Sequence, residues 1–297
     1  MNGVVSRLLQ GRKKHSKEPY AREHDVRPGD GIGYPVPYED QRIEFSHELL
    51  KRCKTLTPYS GAYRMNETTV VKTGDAVRMA EAEAMRLVAE KTSIPVPRVF
   101  DAYIQESDGH GVIIMEYIQG ETLDKAWPSY STTQKDALLG QLRGFLMELR
   151  SIGGSKISAV DGSHCSDQFF DTDNPNCGPF DDERDFHQGL ADALRKRGDT
   201  TWCQMVSRFL ISLGGHDIVL THNDLAPRNI LVQGGSVVAI LDWEMSGYYP
   251  DYWEYVKAHL WAEWTSEWIA EGIPDQILTP RLPELAYLLH ARDIVWS

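Results

Sequence analysis

The segment Leu220–Glu244, LTHNDLAPRNILVQGGSVVAILDWE, holds the residues whose types and spacing could do chemistry. Ile230–Val232 and Val237–Leu241 are β-favouring runs, and Gly234-Gly235 between them is a strong hairpin signal. A hairpin folds its outer ends together, so Asn229, just before the first strand, comes close to Asp242, just after the second. Asp224 stands five positions before Asn229, across a proline-containing loop. Three oxygen-bearing side chains thereby converge. Hard oxygen donors suit Mg2+, which takes one or two carboxylates together with phosphate oxygens and water. A further carboxylate can accept a proton from an attacking hydroxyl. This is the division of labour in phosphoryl transfer, one Asp as base and an Asn with a second Asp on the metal. Singly, each residue has a plainer use, Asp224 and Asn229 in a turn and Asp242 as a helix cap. The D-x4-N spacing joined to the hairpin favours catalysis.

The elements that must position these residues read as an α+β fold of two lobes. Residues 1–43 form an N-terminal extension, basic at Arg7, Arg12, Lys13, Lys14 and Lys17 and then broken by glycine and proline. The β-rich lobe covers 44–118. It contains a helical stretch Glu44–Lys54, a turn at Pro58, Ser60 and Gly61, a strand Glu67–Lys72, a helix from an Asp75 cap to Glu90, and a buried strand Val112–Tyr117. The remainder, 119–297, is mostly helical. Thr132 or Thr133 caps a helix whose apolar face is Leu138, Leu142, Phe145 and Leu149, and a second helical pattern spans Phe186–Leu213. In the helix after the first strand, Val77, Glu81, Ala84 and Val88 fall on one face. Glu81 therefore interrupts an apolar stripe and needs a cation, for which Lys72 at the strand end is the candidate; Glu83 is the fallback. The plainer alternative leaves Glu81 at the stripe's margin and Lys72 on the surface.

Composition narrows the partners. The chain has 297 residues, with 31 Lys+Arg against 43 Asp+Glu and a formal charge of −12, which argues against nucleic acid. No apolar stretch reaches the roughly 18 residues of a membrane helix, and no apolar segment follows the basic N-terminus as a secretory signal requires. Four cysteines, Cys53, Cys165, Cys177 and Cys203, form no CxxC pair, so reduced thiols in a cytoplasmic protein are expected.

The catalytic segment resembles that of the aminoglycoside phosphotransferase and choline kinase-like group of small-molecule kinases, its filamentous-fungal members in particular. His222-Asn223-Asp224-Leu225 is similar to their H-G-D-L or H-N-D-L motif, and Asp242-Trp243-Glu244 to their second motif; the likeness runs from roughly Leu56 to Ala258. The resemblance implies a bilobal protein-kinase-like fold with a small β-rich N-lobe and a larger helical C-lobe. It implies ATP and Mg2+ as cofactors, Asp224 as base, Asn229 and Asp242 as metal ligands, and His222 as a structural member of the loop. Lys72 and Glu81 match the family's ion pair. Ile113–Ile118 resembles the strand into the hinge, where backbone groups of Glu116, Tyr117 and Ile118 would meet adenine. Ser60 and Gly61 stand in a short, glycine-poor phosphate loop.

Transfer to a protein substrate is disfavoured. Asn223 replaces the arginine that many protein kinases pair with a phosphorylated activation loop, and the chain passes from Asp242 through Gly247 and Pro250 into a helix at Tyr252 without room for such a segment. The acceptor is expected to be a small hydroxyl- or amine-bearing molecule, with a monomer or homodimer as the assembly. A cationic acceptor fits the acidic run Asp171, Asp173, Asp181, Asp182, Glu183 and Asp185, whose other reading is a solvated loop. Trp261, Trp264 and Trp268 could wall a quaternary ammonium or pack in the core, and Asp251 and Glu254 are candidate substrate contacts. Alternatives are a pseudokinase acting as an interaction protein, and phosphorylation coupled to elimination.

Overall fold

The computed structural model describes residues 42–56, 61–170, 176–198, 200–260 and 266–296. The expected N-terminal extension, Ser60, Asp171, Asp173, Trp261 and Trp264 lie outside these. The chain divides into two compact units, the first taking in residues up to Ala82 and Pro97–Ile118, the second Glu83–Val96 and everything from Gln119. The fold is α+β.

The first unit is an antiparallel sheet of β1 (Lys54–Thr55), β2 (Ala62–Arg64), β3 (Thr69–Gly74), β4 (Val99–Ile104) and β5 (Gly111–Glu116), in the order β1-β2-β3-β5-β4. The β-branched run Thr69-Val70-Val71 forms the first half of β3, whose first five residues are buried. Its core cluster is Phe45, Met65, Val71, Tyr103, Val112 and Ile114. The helix expected over Glu44–Lys54 is a single turn, His47–Leu50, capped by Ser46. Phe45 is instead buried and its amide is taken by the Gln105 side chain, which keeps Glu44 and Phe45 out of the helix. Helix α1 is Met79–Lys91. Asp75 does not cap it, because Gly74 at a φ of 155° turns the chain and the Val77 amide bonds back to Gly74. Val77, Glu81, Ala84 and Val88 are all buried, so the apolar stripe read from the sequence is the inward face.

The second unit is mainly helical. Helix α2 (Thr132–Arg150) starts from Ser131, one residue before the expected caps, because Ser131 and Gln134 form a reciprocal capping box. Its buried stripe runs Leu138, Leu142, Leu146 and Leu149, and Phe145 is only half-buried. The expected pattern Phe186–Leu213 is two helices, α3 (Glu183–Arg197) capped by Asp182 and α4 (Thr201–Ile211) capped by Thr200. Helix α5 (Trp253–Leu260) is buried on every side, including Glu254, Lys257 and His259. Helix α6 (Leu282–Val295) follows. No described helix is long and apolar enough to cross a membrane.

Short ladders fix the chemistry-bearing segment. In chain order the strands are β6 (Glu121–Thr122), β7 (Ser158–Ala159), β8 (Cys165–Ser166), β9 (Asn176–Cys177), β10 (Ile218–Thr221), β11 (Ile230–Gln233), β12 (Ser236–Ile240) and β13 (Gly247–Pro250). The β11–β12 hairpin turns through Gly234 and Gly235 at φ of 60° and 81°, both positive, as a two-residue type I′ turn requires. Strand β10 pairs with β13, Thr221 standing opposite Gly247, and β13 pairs in turn with β7. A Cβ on Gly247 would stand 2.5 Å from the Ser158 carbonyl oxygen, so only glycine lets β7 approach. Gly247→Ala is expected to cost about 2 kcal/mol through this overpacking and to lower the unfolding midpoint by roughly 4–8 °C in differential scanning calorimetry. An unchanged midpoint would show that β7 parts from β13 without penalty.

Candidate active site

The loop His222–Asn229 leaves β10 and enters β11, and the segment Leu241–Ser246 leaves β12 and enters β13. Both are therefore tied at both ends, by Thr221 opposite Gly247 and by the Leu241 amide donating to the Asn229 carbonyl at 2.8 Å. Side chains tie them again in the middle. The Asp224 amide donates to His222 Nδ1 at 3.2 Å, and Nε2–H donates to the Leu241 carbonyl at 2.9 Å. The His222 ring also stands edge-on to buried Trp243, whose Nε1 donates to the Ile240 carbonyl.

Asn223 and Asp242 have φ of 70° and 64°, and are the two non-glycine residues with positive φ among those described. Asn and Asp tolerate this left-handed conformation better than most side chains. Asn223 is fully buried and its amide is wired throughout: Nδ2 donates to the Met245 carbonyl and the Tyr249 hydroxyl, each at 3.1 Å, and Oδ1 accepts from Trp253 Nε1 at 2.9 Å. The same amide reaches the Ser166 carbonyl at 3.4 Å.

Beneath the loop, the Glu254 carboxylate accepts from the His222 amide at 2.5 Å and the Asn223 amide at 3.4 Å. Burial pushes its carboxyl above the ordinary range, opposed by the His222 ring, the two amides and Arg150. Asp251 pairs with Arg281 and stands 3.7 Å from Arg150. The two acids considered as substrate contacts thus brace the fold. Lys257 and Asp167, which no motif in the sequence marks, form a fully buried ion pair at 2.8 Å. Burial pushes the Lys257 ammonium down, while Asp167, Asp224 and Glu254 favour its charge. Polar residues inside a helix with no exposed face were the available signal.

At the centre, Asn229 Nδ2 donates to the Asp224 backbone carbonyl at 2.9 Å and to Asp224 Oδ2 at 2.8 Å. Its Oδ1 has no hydrogen bond among the described residues, and Asp242 lies one residue beyond its ladder partner Leu241. An amide oxygen and a carboxylate are hard donors of the kind Mg2+ accepts. Among the described residues no group of three or more His, Cys, Asp or Glu could hold a metal unaided, so an ion here would lean on water and phosphate oxygens. Arg228, which the sequence reading passed over, donates from Nη2 to Asp224 Oδ1 at 2.6 Å and Oδ2 at 2.7 Å.

In the first unit, Lys72 Nζ donates to Glu81 Oε1 at 2.9 Å, both side chains being buried. Glu83, the fallback, is exposed and pairs with Arg86. Gly61 has a φ of 59° and its carbonyl accepts from the Thr73 amide, while a Cβ there would stand 2.5 Å from the Thr73 carbonyl oxygen. Of the expected hinge residues, the Glu116 amide is spent on the Arg98 carbonyl and the Tyr117 amide on that of Thr68. Ile118 lies past the end of β5.

Asp181 pairs with Lys156, Asp182 caps α3, and Glu183 holds His216 Nδ1 at 2.5 Å. Cys165 and Cys177 stand opposite one another on β8 and β9 as free thiols, as are Cys53 and Cys203. Trp268 is buried and donates to the Ala258 carbonyl, and it is among the residues lining a pocket of about 330 Å³ with Trp127, Ile273, Pro227, Asp124 and Glu267.

A model of the phosphotransferase enzyme family matches residues 68–285. No curated protein matches the chain. Among solved structures, the gentamicin complex of APH(2'')-IIa is 19% identical, covering 86% of this chain and 89% of its own, with a TM-score of 0.57. ADP-bound aminoglycoside phosphotransferase APH(2'')-Ib is 19% identical over 80% of this chain and 82% of its own, at a TM-score of 0.54. Aminoglycoside phosphotransferase APH(4)-Ia is 18% identical over 79% and 78%, also at 0.54. At these identities the structures speak for the fold, a kinase-like one with a β-sheet lobe and a helical lobe. The family match itself spans Lys72, Asp224, Asn229 and Asp242, and on that ground the chain belongs to the phosphotransferase enzyme family.

Proposed function

We propose that this protein transfers the γ-phosphoryl group of ATP to a hydroxyl of a small, amine-bearing acceptor. The observation that carries the reading is the clasp of the two motif segments: Asn229 donates to the Asp224 carboxylate, and its backbone carbonyl accepts from Leu241, the residue before Asp242. Asp224 takes the proton of the acceptor hydroxyl as its oxygen attacks the γ-phosphorus; the bond to the β,γ-bridging oxygen breaks and ADP leaves. Asn229 Oδ1 and the Asp242 carboxylate would hold Mg2+, which supplies charge neutralisation on the phosphate oxygens. Lys72, kept in place by Glu81, is assigned to the nucleotide phosphates. Gly61 would give backbone access to them. With the Glu116 and Tyr117 amides already spent, the Ile118 amide is the donor assigned to adenine.

The acceptor is assigned to the pocket that Pro227 shares with Trp127 and Trp268, three residues along the chain from Asp224. Trp127, Trp268 and Ile273 suit an apolar body. Lys135 Nζ already stands 4.7 Å from the Trp127 ring centroid, so recognition of a positive group falls to the exposed carboxylates of Asp124 and Glu267.

Two outcomes test this reading. Asp224→Ala is expected to lower acceptor-dependent ADP release by about 10²-fold or more, the usual worth of a positioned base, while Mg-ATP still raises the unfolding midpoint. Turnover within a few-fold of wild type would remove Asp224 from the base role, and a midpoint in wild type indifferent to Mg-ATP would favour a pseudokinase. The double change Asp124→Asn with Glu267→Gln is expected to raise KM for an amine-bearing acceptor by about fivefold, the scale of exposed ion pairs, with KM for ATP unmoved. An unchanged acceptor KM would place the acceptor elsewhere.

A further inference from the structure

Arg228 is the fourth residue after Asp224 and lies in the 3-10 turn Pro227–Asn229. One of its nitrogens, Nη2, bridges both Asp224 oxygens, at 2.6 and 2.7 Å. The guanidinium is otherwise unused: among the described residues it makes no other hydrogen bond, and its side chain is 51% exposed against 14% for Asp224. Arginine normally meets a carboxylate with two nitrogens on two oxygens, which is its strongest arrangement. Here a single nitrogen serves both, and Nε and Nη1 meet no acceptor among the described residues. The contact is well suited to being broken.

The Asp224 carboxylate is correspondingly occupied. Oδ1 accepts from Arg228, and Oδ2 accepts from both Arg228 and Asn229. A base that must meet an acceptor hydroxyl needs one of these positions cleared. The next residue in the chain is Asn229, whose free Oδ1 marks where phosphate oxygens would be carried in with the metal. A terminal phosphoryl group offers three oxygens and more negative charge than a carboxylate, and the planar guanidinium can take two of them at once.

We propose that Arg228 changes partner during turnover: in the resting protein it pins the Asp224 carboxylate, and with ATP bound it moves onto the γ-phosphoryl oxygens, uncovering Asp224 for the acceptor hydroxyl. The inference rests on the phosphotransferase reading above. Arg228 thereby stabilises charge on the transferring group and makes the base available only when there is a phosphoryl group to transfer. The proton still goes from the acceptor hydroxyl to Asp224, and the oxygen–phosphorus bond forms as the bond to ADP breaks. The arginine changes hydrogen-bond partners and no covalent bond.

The test compares Mg2+ complexes of AMP-PNP and ADP, bound by the full chain and measured by titration calorimetry. In Arg228→Ala, AMP-PNP affinity is expected to fall about tenfold or more while ADP affinity stays within about twofold, because only the former carries the γ-group. Arg228→Lys should recover part of the loss, since a point charge replaces the fork. Acceptor-dependent kcat in Arg228→Ala should fall by about 10³-fold, the low end for arginines on a transferring phosphoryl group. The half-exposed position predicts a nucleotide-free unfolding midpoint close to wild type, which shows the variant to be folded. An AMP-PNP to ADP affinity ratio in Arg228→Ala equal to that of wild type overturns the partner exchange. Wild-type protein that binds neither nucleotide overturns the phosphotransferase reading, and the partner exchange with it.

Discussion

Two loops sharing the same pair of ladders is the constraint on which the rest of the site depends. Thr221 faces Gly247 at one end, and Asn229 meets Leu241 at the other. A loop tied at a single end samples many conformations, and ordering each residue costs about 1–2 kcal/mol in backbone entropy. Tying both ends of both segments spreads that cost over strand pairing that the fold makes in any case. His222 then shortens the free span further, since one imidazole accepts from the Asp224 amide and donates across to the Leu241 carbonyl. The left-handed residues Asn223 and Asp242 are tolerable only within such a frame.

The buried charges around α5 follow from the same need. Glu254 receives two loop amides that no strand partner satisfies, and without an acceptor those N–H groups would be orphaned in an interior of Trp243, Tyr249 and Trp253. Its own burial is unfavourable to the charged form, and nearby basic groups and amide dipoles offset that. Lys257 and Asp167 do comparable work one turn along the helix, with Phe169 and Trp253 rings within 6 Å of the ammonium. A buried pair of this sort is weak evidence for stability, because well-packed apolar residues could fill the space as well. Its value here is geometric, in fixing the strand that carries Ser166 beneath Asn223.

Charge is handled differently at the surface of the same loop. Asp224 remains partly accessible, and the cation that holds it, Arg228, is half in water. Buried groups thus set the backbone, while the exchangeable contact lies where solvent and substrate can compete for it. The first unit repeats the buried half of that pattern in Lys72 and Glu81, one ion pair linking the centre of a sheet to the helix beside it.

Much of this was legible in the chain itself. The α+β class, the β11–β12 hairpin, the inward stripe of α1 and the proximity of Asn229 to Asp242 follow from periodicity, turn chemistry and spacing, which act over a few residues and need no knowledge of distant neighbours. Boundaries were less legible: Phe45 is drawn into the core and shortens a helix, Ser131 wins the cap from Thr132, and Leu146 takes the buried position expected for Phe145. The partners of Asp251, Glu254, Lys257 and Asp167 were not readable, because they lie far apart in the chain and only packing decides which charges share a buried space. Arg228 shows the division most plainly. Its place four residues after Asp224 was always visible, but a turn can aim such a side chain many ways, and only the folded ladders direct the guanidinium onto the carboxylate. Local sequence chose the residues able to do chemistry; long-range burial and strand pairing decided which of them face one another.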